Sequence, residues 1–262
     1  GDEMRESISK DLGFSLEDVE GNNLKIDITT ERPDLLSTYG LGRVLKAYLG
    51  SKIESYKIPK SEEKLKIVNE AKEWPYAVAC IVKGLKFDDE KIKEVIRIQE
   101  KLGTTFLRNR KKGGLGLYPL DKIKFPVIFT SEDPKKIKFR PLESKTEMNG
   151  LDILENHATG IKYKHIVNNW KKFPIFIDAN NKIMSMPPII NSHDLGKINE
   201  STKEIFVEAT GTDLKIINSA LQVLTAALIE MGGKAYSIEM VYGNKTITSP
   251  SFEEEERKLK VE

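Results

Sequence analysis

The sequence predicts an α+β protein with mixed or antiparallel sheets packed around a central apolar helix, and with a small α/β piece at its N-terminus. The first observation is that apolar residues cover most of the helix circumference over residues 214–231, so this helix needs cover on several sides. The second is that strands and helices follow one another without regular alternation. The third is that short turns join several strands, which favours antiparallel pairing over repeated βαβ units.

The N-terminal part of the chain, residues 1–64, is predicted to be a module fragment followed by a linker. Its predicted elements are a helix over residues 2–12, a strand over 24–28, a turn over 30–34 and a helix over 37–50. Gly50 suits the end of that helix, because glycine readily adopts the left-handed conformation that follows a last turn. Residues 51–64 are polar and contain Pro59, which is typical of a linker.

Residues 65–250 are predicted to form the main domain, and residues 251–262 the start of a further module or a tail. The predicted elements are a strand over residues 76–85, a helix over 88–107, two helical pieces over 151–170 that separate near Gly160, a hairpin of 173–177 with 182–184, a strand over 205–209, the apolar helix and a closing hairpin of 235–242 with 245–248. Asn-Asn and Gly-Asn pairs mark the two hairpin turns.

Composition indicates a globular protein that works in a reducing compartment. The 262 residues are 39% hydrophobic and 31% charged, with a net charge of +2, so bulk charge does not by itself indicate a polyanionic partner. The single cysteine, Cys80, lies in an apolar run and is predicted to be core. The polar N-terminus without an initiator Met suggests a cytoplasmic protein fragment, and no apolar run is long enough to span a bilayer.

Several common kinds of catalytic site are missing from the sequence. The three histidines, His157, His165 and His193, lack zinc-ligand spacing and are expected to lie on the surface or in loops. The glycines near residue 113 form no phosphate-binding frame, and there is no GxSxG elbow. Hydrolysis would therefore depend on a positioned water and on hydrogen-bonding groups.

The segment from Ser185 to Asp213 joins a rigid double-proline loop to a strand that ends in polar residues. Pro187 and Pro188 fix φ and lack an N–H, which restricts the loop. Glu208 and Thr210 alternate onto one face of the strand, where they are either solvated or part of a ligand site. A second candidate is the basic run that contains Arg108 and Arg110: clustered cations suit a nucleic-acid backbone, but they also suit the C-terminal end of a helix without any ligand.

Three stretches together resemble the beta subunit of archaeal and eukaryotic-cytosolic phenylalanyl-tRNA synthetase. They are TERPDLLSTYGLGRVLKAYLG, IMSMPPIINS, and EATGTD followed by an apolar helix that ends in GGK. They occur in the family's order, and the resemblance covers residues 24 to about 250. It implies that this fragment carries the amino-acid editing domain, which hydrolyses tRNA(Phe) mischarged with tyrosine, whereas the ligation site lies on the alpha subunit.

The resemblance also implies roles for individual residues. Glu208 would accept the tyrosine phenol, where relatives can carry Asp, and Phe176 would pack on the substrate ring, although it also suits the core. Ser185 and Thr210 are the candidate catalytic residues, neither of them as a nucleophile. Arg108 and Arg110 would contact the tRNA.

Partners and cofactors follow from the same resemblance. The expected partners are the acceptor end of tRNA(Phe) and the alpha subunit in a heterotetramer, with no membrane. No metal or other cofactor is expected in this fragment, and ATP and magnesium are implied for the whole synthetase. The alternative is a non-catalytic module that positions tRNA or assembles the subunits.

Overall fold

The structure is a computed structural model that describes residues 9–21 and 23–252. Its strands are β1 (Ser15–Glu20), β2 (Asn23–Asp27), β3 (Lys60–Val68), β4 (Tyr76–Lys83), β5 (Gly113–Pro119), β6 (Val127–Glu132), β7 (Lys138–Phe139), β8 (Met148–Asn149), β9 (Phe173–Ile177), β10 (Ile183–Met186), β11 (Ile190–Asn191), β12 (Ile205–Gly211), β13 (Lys234–Tyr242) and β14 (Lys245–Ser249). Its α-helices are α1 (Thr38–Tyr48), α2 (Asp89–Thr104), α3 (Gly150–Asn156), α4 (Ala158–Val167), α5 (His193–Gly196) and α6 (Leu214–Glu230), and short 3-10 helices cover Pro33–Leu35 and Leu120–Lys122.

One ten-stranded mixed sheet organises the main domain. Its hydrogen-bonded order is β11-β10-β9-β6-β3-β13-β4-β12-β5, with β14 added to β13. β3 runs parallel to β13 and to β6, whereas the other neighbours are antiparallel. This arrangement confirms the predicted α+β class with a mixed sheet.

Helix α6 is the central helix that the apolar pattern predicted. Asp213 caps its N-terminus by accepting hydrogen bonds from the backbone N–H groups of Lys215 (2.9 Å) and Ile216 (3.1 Å). Its buried side chains, which include Leu221 and Leu228, pack against β4, β12 and β13. Burial of each such leucine stabilises the fold by about 1.5–3 kcal/mol.

The N-terminal piece docks on this core through α1. Ser37 caps α1 by accepting a hydrogen bond from Gly40 N–H at 2.9 Å. Glu94 of α2 is buried and accepts hydrogen bonds from the Thr38 backbone N–H (2.9 Å) and hydroxyl (3.0 Å). The helix predicted over residues 2–12 and the tail predicted over 251–262 lie mostly outside the described residues.

Two predicted boundaries differ from the structure. The linker predicted over residues 51–64 is shorter, because Lys60–Val68 form β3 inside the large sheet. Four of its exposed residues, Lys60, Glu62, Lys64 and Lys66, are charged, so the segment reads as polar although its backbone pairs with β13 and β6. The two helical pieces separate at His157 rather than near Gly160, since the His157 side chain caps α4 by accepting a hydrogen bond from Thr159 N–H.

Candidate functional site

A cavity of about 700 Å³ lies between α2, β5, β12 and the double-proline loop. Its polar or charged lining comprises Gln99, Glu100, Arg110, Glu143, His157, Thr159, Asn191, Lys197, Glu208 and Thr210, and its apolar lining includes Ile92, Ile96, Leu115, Leu117, Pro187, Pro188, Ile189 and Ile198. Volumes of 300–1,000 Å³ with a few convergent polar groups are typical of small-molecule sites. The predicted strand and the predicted loop therefore line the same cavity.

Small residues on the neighbouring strands leave room for the two polar side chains of β12. In the β12–β5 register, Glu208 faces Gly116 and Thr210 faces Gly114. On the other side, the same two residues face alanines of β4. A Cβ atom at Gly116 would lie 2.3 Å from Glu208 Oε1, so any side chain there would displace the carboxyl group.

Glu208 is a buried carboxyl group without a cationic partner among the described residues. It is 2% exposed, Oε1 lies 3.3 Å from the Tyr118 hydroxyl, and Oε2 has no hydrogen-bond partner in the described part of the chain. Burial raises the pKa of Glu208 from 4.5 to about 8, and the Tyr118 hydrogen bond acts in the opposite direction. A ligand that donates a hydrogen bond to Oε2 would therefore favour the ionised carboxylate.

Ser185 lies behind the cavity wall. It is 1% exposed on β10, and its hydroxyl lies 2.8 Å from the hydroxyl of Tyr118. Tyr118, on β5, is the residue that joins Ser185 to Glu208, and sequence reasoning missed it. The alternating glycines at 114 and 116, opposite the polar residues of β12, are the only signal that could have drawn attention to this strand.

Thr210 lines the cavity directly. Its side chain is fully buried, and its hydroxyl has no hydrogen-bond partner among residues 9–21 and 23–252. A buried hydroxyl without a partner costs about 1–3 kcal/mol, which a bound water or ligand would recover. The structure thus brings Thr210 and Glu208 to the same cavity.

Phe176 lies in the main hydrophobic core and is not among the residues that line the cavity. Its ring centroid is 4.8 Å from that of Phe129 and 6.4 Å from that of Phe206. This position fits the core alternative, in which Phe176 shapes the site only through its neighbours. Its contact with a substrate ring stays a prediction.

Arg108 and Arg110 have different environments although both lie in one turn after α2. Three consecutive residues, Arg108, Asn109 and Arg110, adopt left-handed φ values of 51°, 52° and 63°. The Arg110 guanidinium donates to the carbonyls of Pro188 (3.1 Å) and Ile189 (2.9 Å), and it lies 4.2 Å from the centre of the Tyr163 ring. Burial lowers the pKa of Arg110.

These contacts make Arg110 a support of the double-proline loop. Arg108, by contrast, is exposed, and its side chain has no partner among the described residues. A tRNA contact is a prediction for both residues, and only Arg108 presents a free guanidinium for one.

Neither a metal-binding cluster nor a reactive cysteine is found among the described residues. No group of three or more His, Cys, Asp or Glu side chains in them could hold a metal ion. Cys80 is buried on β4, 3.3 Å from the Thr225 hydroxyl, and burial raises the pKa of its thiol to about 12. None of the helices within the described ranges is long and apolar enough to cross a membrane.

The chain is similar to beta subunits of phenylalanine–tRNA ligase. It is 37% identical over 241 residues to that of Thermococcus onnurineus, covering 89% of this chain and 41% of the relative. It is 36% identical over 252 residues to that of Methanosphaera stadtmanae, covering 94% of this chain and 44% of the relative. The chain thus spans less than half the length of these curated relatives.

A solved structure gives the same result for the fold. The chain matches the crystal structure of an N-terminal fragment of the phenylalanyl-tRNA synthetase beta subunit from Pyrococcus horikoshii with a TM-score of 0.89 and 35% identity. The match covers 96% of this chain and 74% of that fragment. No family model matches the chain.

Proposed function

The chain belongs to the phenylalanyl-tRNA synthetase beta-subunit family, and on that premise we propose that residues 65–250 are an editing domain that hydrolyses tyrosine from mischarged tRNA(Phe). The observation that carries the proposal is a buried carboxyl group, Glu208, with one oxygen free at the wall of a large cavity. The proposed setting is a cytoplasmic synthetase in which the alpha subunit ligates phenylalanine with ATP and magnesium.

The unpaired oxygen of Glu208 supplies the preference for tyrosine over phenylalanine. A tyrosine phenol donates a hydrogen bond to Oε2, whereas a phenylalanine ring leaves this oxygen desolvated and unpaired. An unpaired buried group costs about 1–3 kcal/mol, and more when it is charged. This preference complements a synthetic site, because a site built to bind phenylalanine excludes a molecule with one added hydroxyl only weakly.

The hydrolytic step in this proposal uses a water held by Thr210. The water oxygen adds to the ester carbonyl, the bond to the ribose oxygen breaks, and the ribose hydroxyl leaves with a proton. The Thr210 hydroxyl has no other partner among the described residues and is available to orient the water or the carbonyl. Ser185 acts indirectly in this scheme, since its hydroxyl contacts the hydroxyl of Tyr118.

Hydrolysis of Tyr-tRNA(Phe) by the chain and by the complete heterotetramer tests the proposal. Glu208→Ala should lower the rate about 30-fold, which corresponds to about 2 kcal/mol, and circular dichroism should show an unchanged fold. Glu200→Ala, at an exposed glutamate, is the matched control. An unchanged rate for Glu208→Ala in the heterotetramer would remove Glu208 from the mechanism.

A second candidate role is positioning of tRNA or subunit assembly without catalysis. It is favoured by Arg108 in the turn after α2, which is exposed and has no side-chain partner among the described residues. Arg108→Glu would then weaken tRNA binding and reduce the salt dependence of binding by about one charge. In this role, Glu208→Ala and Thr210→Val leave the rate of tyrosine release at the uncatalysed level of the wild type. Catalysed release by the wild type therefore excludes a purely positioning role.

A further inference from the structure

Tyr118 has a hydroxyl that meets side chains from both ends of the large sheet. Its strand, β5, is one end of the hydrogen-bonded order, and β10 and β11 are the other end. The Tyr118 hydroxyl lies 2.8 Å from Ser185 Oγ, 3.3 Å from Asn191 Oδ1 and 3.3 Å from Glu208 Oε1. The side chain is fully buried, so no bulk solvent competes for these contacts.

The hydroxyls and the amide can share their hydrogens in a way that leaves Tyr118 free to donate to Glu208. Ser185 has its own hydrogen and can donate it to the Tyr118 oxygen, whereas Asn191 Oδ1 and the oxygens of the ionised Glu208 carboxylate can only accept. The Asn191 amide nitrogen lies 3.5 Å from the Leu117 carbonyl, so its carbonyl oxygen faces Tyr118. When Glu208 is ionised, the form that a ligand phenol donating to Oε2 favours, the single phenolic hydrogen of Tyr118 therefore has the carboxylate as its charged acceptor.

Gly116 is the structural condition for this contact. A Cβ at this position would lie 2.7 Å from the Tyr118 hydroxyl and 2.3 Å from Glu208 Oε1. The absence of a side chain lets a phenol and a carboxyl group on adjacent strands meet beneath the cavity. This contact also fixes the orientation of the carboxyl group, because the Tyr118 hydroxyl holds Oε1 and Oε2 has no partner among the described residues.

We propose that Tyr118 is a positioning residue that determines specificity: by holding Oε1 of Glu208, it aims Oε2 at the cavity for the hydroxyl of a phenolic ligand. The inference rests on the proposed function and extends it to a residue that does not touch the substrate. The chain's own phenol occupies one carboxyl oxygen, and the phenol of the ligand occupies the other. Without the Tyr118 hydroxyl, the carboxyl group can rotate. The difference in affinity between a ligand with a phenolic hydroxyl and one without it then becomes smaller.

The test is the binding of two non-hydrolysable probes, the 3′-amides of tyrosyl-adenosine and phenylalanyl-adenosine, to the whole chain by calorimetry. Tyr118→Phe keeps the ring and removes the hydroxyl, and it should reduce the tyrosine-over-phenylalanine affinity ratio about 10-fold, the range of one hydrogen bond to a charged group. A purely structural role would weaken both probes equally. Tyr236→Phe is the control, since no hydrogen bond of its hydroxyl is found among the described residues.

The outcomes separate the two proposals. If the wild type binds both probes equally, the editing proposal fails. If the wild type prefers the tyrosine probe and Tyr118→Phe keeps the same ratio, the role of Tyr118 alone is overturned. A crystal structure of the wild type with the tyrosine probe tests the inference without any substitution. If the Tyr118 hydroxyl and the ligand phenol bind different oxygens of Glu208, the inference is supported. If the ligand phenol displaces the Tyr118 hydroxyl from Glu208, the inference is overturned.

Discussion

Two glutamates in this chain each meet a tyrosine hydroxyl, but their surroundings differ. Glu230, at the end of α6, accepts a hydrogen bond from Tyr56 at 2.9 Å and forms an ion pair with Arg43 at 2.8 Å. The Arg43 guanidinium also lies 4.2 Å from the centre of the Tyr56 ring. Glu208 has Tyr118 alone, with no cation and with one oxygen unpaired among the described residues.

The difference separates a carboxylate that stabilises a junction from one that is ready for a ligand. Glu230 ties the N-terminal helix region and the linker to the core helix, and its charge is compensated there. Glu208 is buried with no cation beside it among the described residues, which costs stability, and its side chain lines the cavity. Buried groups of this kind cluster at functional sites, where a bound ligand can compensate them.

The largest expected effect is on the pH dependence of the free energy of unfolding, to which Glu208 contributes. Since burial raises the pKa of Glu208 from 4.5 to about 8, the unfolded chain releases this proton first, and stability falls as pH rises through this interval. Glu208→Gln should therefore gain about 3 kcal/mol in free energy of unfolding relative to the wild type between pH 4 and pH 7. Urea unfolding at both pH values measures the gain, and a difference that does not change with pH would contradict it.

Gly116→Ala should break the Glu208 arrangement from the opposite strand. The new methyl group would overlap Glu208 Oε1 and the Tyr118 hydroxyl, at a cost of about 2 kcal/mol in stability. The tyrosine preference should fall with it. Gly114→Ala is the matched control for stability, because its Cβ would meet only Pro188, at an ordinary 3.6 Å; equal losses of stability for the two substitutions, measured by thermal unfolding, would refute the steric argument.

Arg43→Ala tests the junction. Removal of the cation leaves Glu230 partly buried with only Tyr56 as a partner, and we expect a loss of about 1.5 kcal/mol in the free energy of unfolding. Affinity for the tyrosine probe should not change. Any change in the tyrosine-over-phenylalanine affinity ratio would show that the junction around Glu230 and the Glu208 site are coupled, and would contradict their separate roles.

Tyr56→Phe is the smallest of these changes and the counterpart of Tyr118→Phe. It removes the hydroxyl that bonds Glu230 and keeps the ring under Arg43, so about 1 kcal/mol of stability should be lost. Thermal unfolding measures this loss. Probe binding should be unaffected, and a shift in ligand preference as large as that of Tyr118→Phe would mean that neither tyrosine acts locally.

Sequence patterns predicted the local elements well because their signals are local. The apolar circumference of α6 is a local pattern, and Asp213, directly before it, is a residue type that commonly caps a helix N-terminus. The linker predicted over residues 51–64 includes the start of β3, because that stretch is polar and its exposed strand positions are charged. What makes it a strand is pairing with β13 and β6, which are distant in the chain, and no local pattern contains that information.

The same reason explains which part of the site was missed. Glu208 and Thr210 could be placed on one face because a strand has a period of two residues. Tyr118 could not be placed near Ser185, since their contact joins opposite ends of the sheet order. The family resemblance assigns Phe176 to the substrate ring, and its aromatic neighbours fit the core alternative, so its contact with a substrate stays a prediction.

The strand that carries Glu208 and Thr210 is paired on both sides, by β4 and β5, and leads within two residues into the capped core helix α6. Its backbone amides should therefore rank among the slowest in the protein to exchange their hydrogens for deuterium, opening only when the whole domain opens. A receptor wall of this kind does not reshape itself around an incoming molecule. The double-proline loop that also lines the cavity has a restraint of its own, because the Arg110 guanidinium holds the carbonyls of Pro188 and Ile189.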